Sequence, residues 1–238
     1  MNLFNSERVQ TWASKHVRCR VEGVPDRFSL SFDDGPSPRY TPRVMETLAR
    51  FGARATFFVL AGRAGRSPEL IRRQHEAGHE VGAHGRVHLP PPLFTTGWLE
   101  AEIGAAAAAV EAACGVRPRR YRAPFGFLTP EQARRVRAWG YEPVLGDDYP
   151  DDPLQKDPAL IAERALARLR PGSIVILHDS SVFGDASRAP TIEAVERILI
   201  AAEARGLRSV SIEELVQAGE ERTPRARSVP GAATQPFV

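Results

Sequence analysis

Short apolar runs alternate with longer amphipathic runs from residue 28 to residue 217, the signature of repeated β-α units around a mostly parallel sheet. The apolar runs predict strands at 28–32, 55–60, 80–83, 119–122, 143–145, 174–177 and 208–210. Helical patterns fill 41–51, 68–77, 96–113, 130–139, 158–169 and 191–205. Several of these open with Pro in the first turn and stop at Gly52, Gly78, Gly140 or Gly206, because a helix end often needs a residue that accepts positive φ. Seven strands and six helices are too many for a small sandwich and one strand short of a full eightfold barrel. The expected fold is therefore α/β. Five consecutive alanines inside 104–110 read as a helix lying close against its neighbours.

The chain has 238 residues, 42% hydrophobic and 26% charged, enough to enclose one sizeable core and too apolar for general disorder. No stretch reaches the ~20 apolar residues of a membrane span. The first twenty residues carry Glu7, Arg8, Lys15, Arg18 and Arg20 where an export signal would be apolar. The expected location is cytoplasmic, or outside the cytoplasm if an upstream leader has been trimmed. Cys19 and Cys114 form neither a disulfide framework nor a zinc knuckle. The net charge of +3 comes almost wholly from arginine, scattered among acids over helix faces. Nucleic acid would want a clustered stripe, so it is not expected as a partner. With no linker before residue 218, the reading is an N-terminal extension (1–27) packed on one domain (28–217), then a Pro-containing tail (218–238) expected to be disordered.

The polar residues that fit a purely structural role least well fall where predicted strands end, and in a β-α fold those ends open on one face. After the first strand come Asp33 and Asp34, adjacent side chains that leave a strand in different directions and so suit different roles. Taken alone, Asp-Asp-Gly-Pro also reads as a turn. After the third strand, His84 and His88 stand four residues apart, close enough to share one cation when the backbone curls. Two imidazoles and one carboxylate leave an open position for water, as hydrolytic Zn²⁺ is usually held; Asp34 is the natural third ligand. His178 ends the apolar strand 174–177, Arg122 ends the fourth, and Asp147, Asp148, Asp151 and Asp152 follow the fifth.

Together these segments resemble the polysaccharide deacetylases of carbohydrate esterase family 4, the NodB-homology domain, over residues 28–216. The family's Thr-Phe-Asp-Asp-Gly appears as Ser31 to Gly35, His-(Ser/Thr)-x-x-His as His84 to His88, Arg-x-Pro-(Tyr/Phe) as Arg122 to Phe125, and the last hydrophobic strand as Val175 to His178. The resemblance implies a distorted, incomplete (β/α) barrel and a metal-dependent hydrolase that removes an N-acyl group, N-acetyl foremost, from an amino sugar of a polysaccharide, oligosaccharide or glycoconjugate. It implies a divalent metal, most often zinc, on Asp34, His84 and His88. Asp33 would be the general base paired with Arg122, His178 the general acid, and the backbone N–H of Phe125 part of the oxyanion site. Two motifs depart from the pattern. Gly85 replaces a hydroxyl that would help fix the loop. Asp-x-x-Asp-Trp becomes Gly146 to Pro153 without its Trp; Asp152 matches the aspartate that orients the acid histidine, with Asp148 and Asp151 as alternatives in a shifted register. The missing Trp keeps open a deformylase or amidohydrolase acting on a lipid-linked sugar or small C–N compound. An inactive glycan-binding barrel is the reading from another class.

Overall fold

The computed structural model describes residues 6–182, 184 and 186–222. Among them seven parallel strands form one sheet: β1 (Arg27–Gly35), β2 (Ala55–Val59), β3 (Glu80–Ala83), β4 (Arg120–Tyr121), β5 (Glu142–Pro143), β6 (Ile174–His178) and β7 (Arg208–Ser209). The order is β5-β4-β3-β2-β1-β6, with β7 on β1. The sheet curls without closing. Between β5 and β6 only isolated bridges span the gap: Arg18 to Val144, Arg20 to Ser173 and Asp148 to Val175. The incomplete barrel expected from the sequence is thus an open sheet whose seam is covered by the N-terminal segment and the chain leaving β5.

The six expected helices appear within about two residues as α2 (Thr41–Arg50), α4 (Pro68–Glu76), α5 (Thr96–Cys114), α6 (Pro130–Ala138), α7 (Pro158–Arg168) and α8 (Ala189–Glu203). Three others are α1 (Glu7–Ala13), α3 (Ala61–Ala64) and α9 (Ile212–Arg222). α9 runs past residue 217, where the tail was expected to start, and Ala218 is buried. Gly219 lets α9 approach the N-terminal segment, since a Cβ there would lie 2.8 Å from the Glu22 carbonyl. Residues 223–238 of that tail lie outside the described residues.

The core follows from the strand patterns. Phe28, Leu30 and Phe32 of β1 and Phe57 of β2 are fully buried, packed with Val44 and Leu48 of α2 and Val195 and Ile198 of α8; each such side chain contributes about 1.5–3 kcal/mol. At the amino ends of the strands Arg120 is buried among Glu80 (2.5 Å), Glu142 (3.1 Å) and Glu213 (2.5 Å). That ion cluster ties the starts of β3, β4 and β5 to α9.

Gly172 shows how tightly the N-terminal segment is seated. Its φ is +82°, and a Cβ would fall 1.8 Å from the Val21 carbonyl oxygen. Gly172→Ala is expected to destabilise the fold by more than about 2 kcal/mol, from left-handed strain plus a backbone clash; a urea midpoint equal to that of the parent would contradict the seating.

Candidate active site

The first site residues depend on a local irregularity of β1. Its register against β2 slips between Asp33 and Gly35, and Asp34 takes φ +73°. Regular strands send neighbouring side chains to opposite faces; a bulge breaks that alternation. Asp33 and Asp34 therefore both line one cavity of about 390 Å³ at the strand mouth, together with His84, His88, Arg122, Phe125 and His178. A left-handed non-glycine residue costs about 1–3 kcal/mol and needs outside support. Arg63 of α3 supplies it, donating to the Asp34 carbonyl (2.8 Å), the Ser180 hydroxyl and the Ser181 carbonyl (2.5 Å). Of the three non-glycine residues with positive φ among the described residues, Asp34 and Phe125 line this mouth and Asp151 lies two residues before Pro153, which also lines it.

Asp34, His84 and His88 form a possible cation site. Asp34 Oδ1 lies 3.4 Å from His84 Nε2 and 3.3 Å from His88 Nε2, and their ligand atoms all fall within 4.8 Å of one another. The tautomer of His84 follows from its neighbour: Nδ1 sits 2.8 Å from the Arg122 carbonyl, which only accepts, so Nδ1 carries the proton and Nε2 keeps a lone pair. Asp34 Oδ1 and His84 Nε2 are both buried without a hydrogen-bond partner. Two lone pairs facing each other in a buried place repel unless a cation lies between them. The charge states agree. Burial would raise the Asp34 carboxyl, but the adjacent imidazoles of His84, His178 and His88 hold it well below the carboxylate range. Burial pushes His88 down to about 4 against the pull of Asp34, leaving a neutral imidazole at neutral pH. The residues present fit a divalent ion.

Two positioned groups flank this cluster. Asp33 Oδ1 accepts from Arg122 Nη1 (2.7 Å), which also donates to Ser31 Oγ (2.8 Å). Arg122 is fully buried, its guanidinium 4.2 Å from the centre of the Phe58 ring. His178 Nδ1 lies 2.9 Å from Asp152 Oδ1, while Asp152 Oδ2 accepts from the His178 backbone N–H (3.0 Å) and the Thr191 hydroxyl (2.9 Å). Burial alone would lower His178, but the Asp152 carboxylate, with Asp34 and Asp33 behind it, raises it to about 9. Asp152, and not Asp148 or Asp151, reaches the histidine: Asp148 pairs through its backbone with β6, and the Asp151 carboxylate turns to Arg164 (3.3 Å). Phe125 stands at the rim with φ +58°, its ring edge-on to His88 at 4.4 Å. Where the Trp is missing, Leu145, Tyr149, Pro153, Leu154 and Ile176 line the cavity, and the Tyr149 ring stands edge-on to His178 at 6.0 Å.

A family model described as polysaccharide deacetylase matches residues 21–144. A peptidoglycan-N-acetylglucosamine deacetylase of Bacillus cereus is 31% identical over 204 residues, 85% of this chain and 93% of that one. This chain belongs to the polysaccharide deacetylase family. A chitooligosaccharide deacetylase of Sinorhizobium fredii is 36% identical over 193 residues, covering 77% and 88%. Among solved structures, a peptidoglycan N-acetylglucosamine deacetylase superposes with a TM-score of 0.82 at 22% identity, over 87% of this chain and 96% of that one. A family 4 pseudoenzyme from Bacillus anthracis shares the fold as well, with a TM-score of 0.76 at 20% identity over 83% and 68%. Polysaccharide deacetylase folds therefore occur with and without turnover, and the side chains at the mouth carry the functional argument.

The sequence reading missed Arg63, Thr191 and Tyr149. Arg63 sits on a four-residue helix too short for a periodic signal. Thr191 in the first turn of α8 reads as an ordinary helix-start hydroxyl. Tyr149 was legible only as the aromatic nearest the lost Trp.

Proposed function

We propose that this polysaccharide deacetylase family member is an active, divalent-metal-dependent hydrolase, with zinc as the ion, that removes the N-acetyl group from N-acetylglucosamine units of a glycan. The observation that carries the reading is the unsatisfied cluster of Asp34, His84 and His88, flanked on one side by Asp33 held on Arg122 and on the other by His178 held on Asp152. N-acetylglucosamine is in the names of the Bacillus cereus relative and of the solved deacetylase with a TM-score of 0.82, while the Sinorhizobium fredii relative is named for chitooligosaccharides.

Asp34, His84 and His88 would hold the ion, which supplies Lewis acidity toward a carbonyl oxygen and a water. Asp33 accepts a proton from the water as its oxygen bonds to the amide carbon. The Asp33–Arg122 pair fixes that carboxylate so that no reorientation is needed at the moment of attack. The Phe125 backbone N–H is assigned to the carbonyl oxygen as it gains charge. The C–N bond then breaks, and His178 gives its Nε2 proton to the departing nitrogen, while its Nδ1–H stays on the ring and donates to Asp152. Acetate and a free amine leave, Asp33 returns its proton to solvent, and His178 takes one up from solvent. Leu145, Tyr149 and Ile176 offer an apolar wall for a small acyl group.

The test is acid release from N-acetylated chito-oligosaccharides and peptidoglycan fragments by zinc-loaded and chelator-stripped protein. Acetate from the loaded form, abolished by stripping, is expected. Release of formate alone would move the substrate to a formylated amine, and no release from any N-acyl amino sugar would overturn the reading. The acid's role is tested separately. His178 donates only while protonated, so activity falls as pH rises through its pKa, near 9. Asp152→Asn removes the main charge that raises it, and burial then dominates; the alkaline limb of kcat/KM should fall to about 6.5 or below. A limb that stays near 9 would assign it to another group.

A further inference from the structure

The loop His84–His88 delivers two imidazoles yet has Gly85 where a loop-fixing hydroxyl was expected. Its other anchor comes from α5. The buried stripe of that helix is Leu99, Ile103, Ala106, Ala107, Val110 and Ala113, and within it lies one carboxylate, Glu102, only 2% exposed. A buried carboxylate is costly unless its oxygens are satisfied. Glu102 Oε2 accepts from the backbone N–H of Arg86 (2.9 Å) and of Val87 (2.8 Å), and Oε1 from Arg86 Nε (3.0 Å). These hydrogen bonds all end on Arg86 and Val87, between the two imidazoles. Gly85, at φ +99°, packs over it: a Cβ there would lie 3.6 Å from Oε2.

We propose that Glu102 is a positioning residue that holds the His84–His88 loop in its ion-accepting shape through the two backbone amides; this rests on the metal reading above. A carboxylate accepting two peptide N–H groups makes charge-assisted bonds about twice as strong as neutral ones. Without it the amides of Arg86 and Val87 are left unpaired beneath the loop, and the imidazoles lose their fixed separation. The ion pair itself matters little, because the Arg86 side chain is 63% exposed and screened by water.

The experiment uses full-length protein stripped of metal. Zinc affinity is measured by competition with a chromophoric chelator for the parent, E102A, E102Q and R86A, and amide hydrogen exchange at residues 86 and 87 is followed in the metal-free state. Removing a group that orients ligands typically weakens metal binding about 10- to 100-fold; E102A is expected there. E102Q keeps a neutral acceptor and should recover part of the loss while remaining weaker than the parent, and R86A should stay within about twofold. The two amides should be protected in the parent and exchange faster in E102Q, which is close in shape and tests the idea even if E102A does not fold. Parental zinc affinity in E102Q and E102A, unprotected amides in the parent, or an R86A loss as large as that of E102Q would overturn the proposal. A parent that takes up no zinc despite protected amides would instead overturn the metal reading beneath it.

Discussion

Asp33→Asn is expected to lower kcat/KM by about 10²- to 10⁴-fold, the usual contribution of a positioned general base, while zinc content stays at the parental level. Asparagine keeps the shape and an oxygen for Arg122 Nη1, so the pair at 2.7 Å becomes a weaker contact instead of a vacancy. Losing the charge from a hydrogen bond of this kind costs about 1–3 kcal/mol of stability, so the variant should melt earlier yet remain folded at working temperature. The informative comparison is turnover per zinc-loaded molecule. A folded, zinc-replete Asp33→Asn chain with parental turnover would remove Asp33 from the chemistry, and loss of zinc together with activity would make it part of the ion's support.

His84→Ala should act in the opposite way, abolishing zinc uptake first and activity as a consequence. A ligand that binds only the folded state stabilises it by about 2.7 kcal/mol at one hundred times its Kd, so zinc should raise the melting temperature of the parent and leave that of the variant unchanged. The reason is local: His84 is oriented by the Arg122 carbonyl and directs its other nitrogen at Asp34 Oδ1. Equal zinc stoichiometry in parent and variant would refute the ligand set. The two substitutions separate functions that share one cavity, since Asp33 and Asp34 are neighbours in sequence but bonded to different partners.

The order of strands and helices was legible because each β-α unit writes its own period into the chain: the run 28–32 lies within β1, and the pattern 96–113 within α5. The site residues were legible because their chemical types are unusual at strand ends. What escaped was set by contacts distant in sequence. The bulge at Asp34 exists through the register of β1 on β2 and a guanidinium 29 residues away, and no local pattern encodes it. The choice among Asp148, Asp151 and Asp152 was open because any of them fits the spacing; the bridge of Asp148 to Val175 and the left-handed turn at Asp151 decide it. The tail boundary at 218 was placed too early because Ala218 and Gly219 carry no apolar bulk, and Gly219 is seated against Val21 and Glu22 of the N-terminal segment.

The seam between β5 and β6 divides the mouth of the cavity by mechanical support. The half that carries Asp34, His84 and His88 stands on the multi-residue ladders of β1, β2 and β3, whereas the span from Leu145 to Leu154, which lines the other side and carries Asp152, hangs beside a join made of single bridges. Insertions or exchanges in that span can reshape the cavity without disturbing the cluster of Asp34, His84 and His88, so divergence in what such a barrel admits has a natural place to begin.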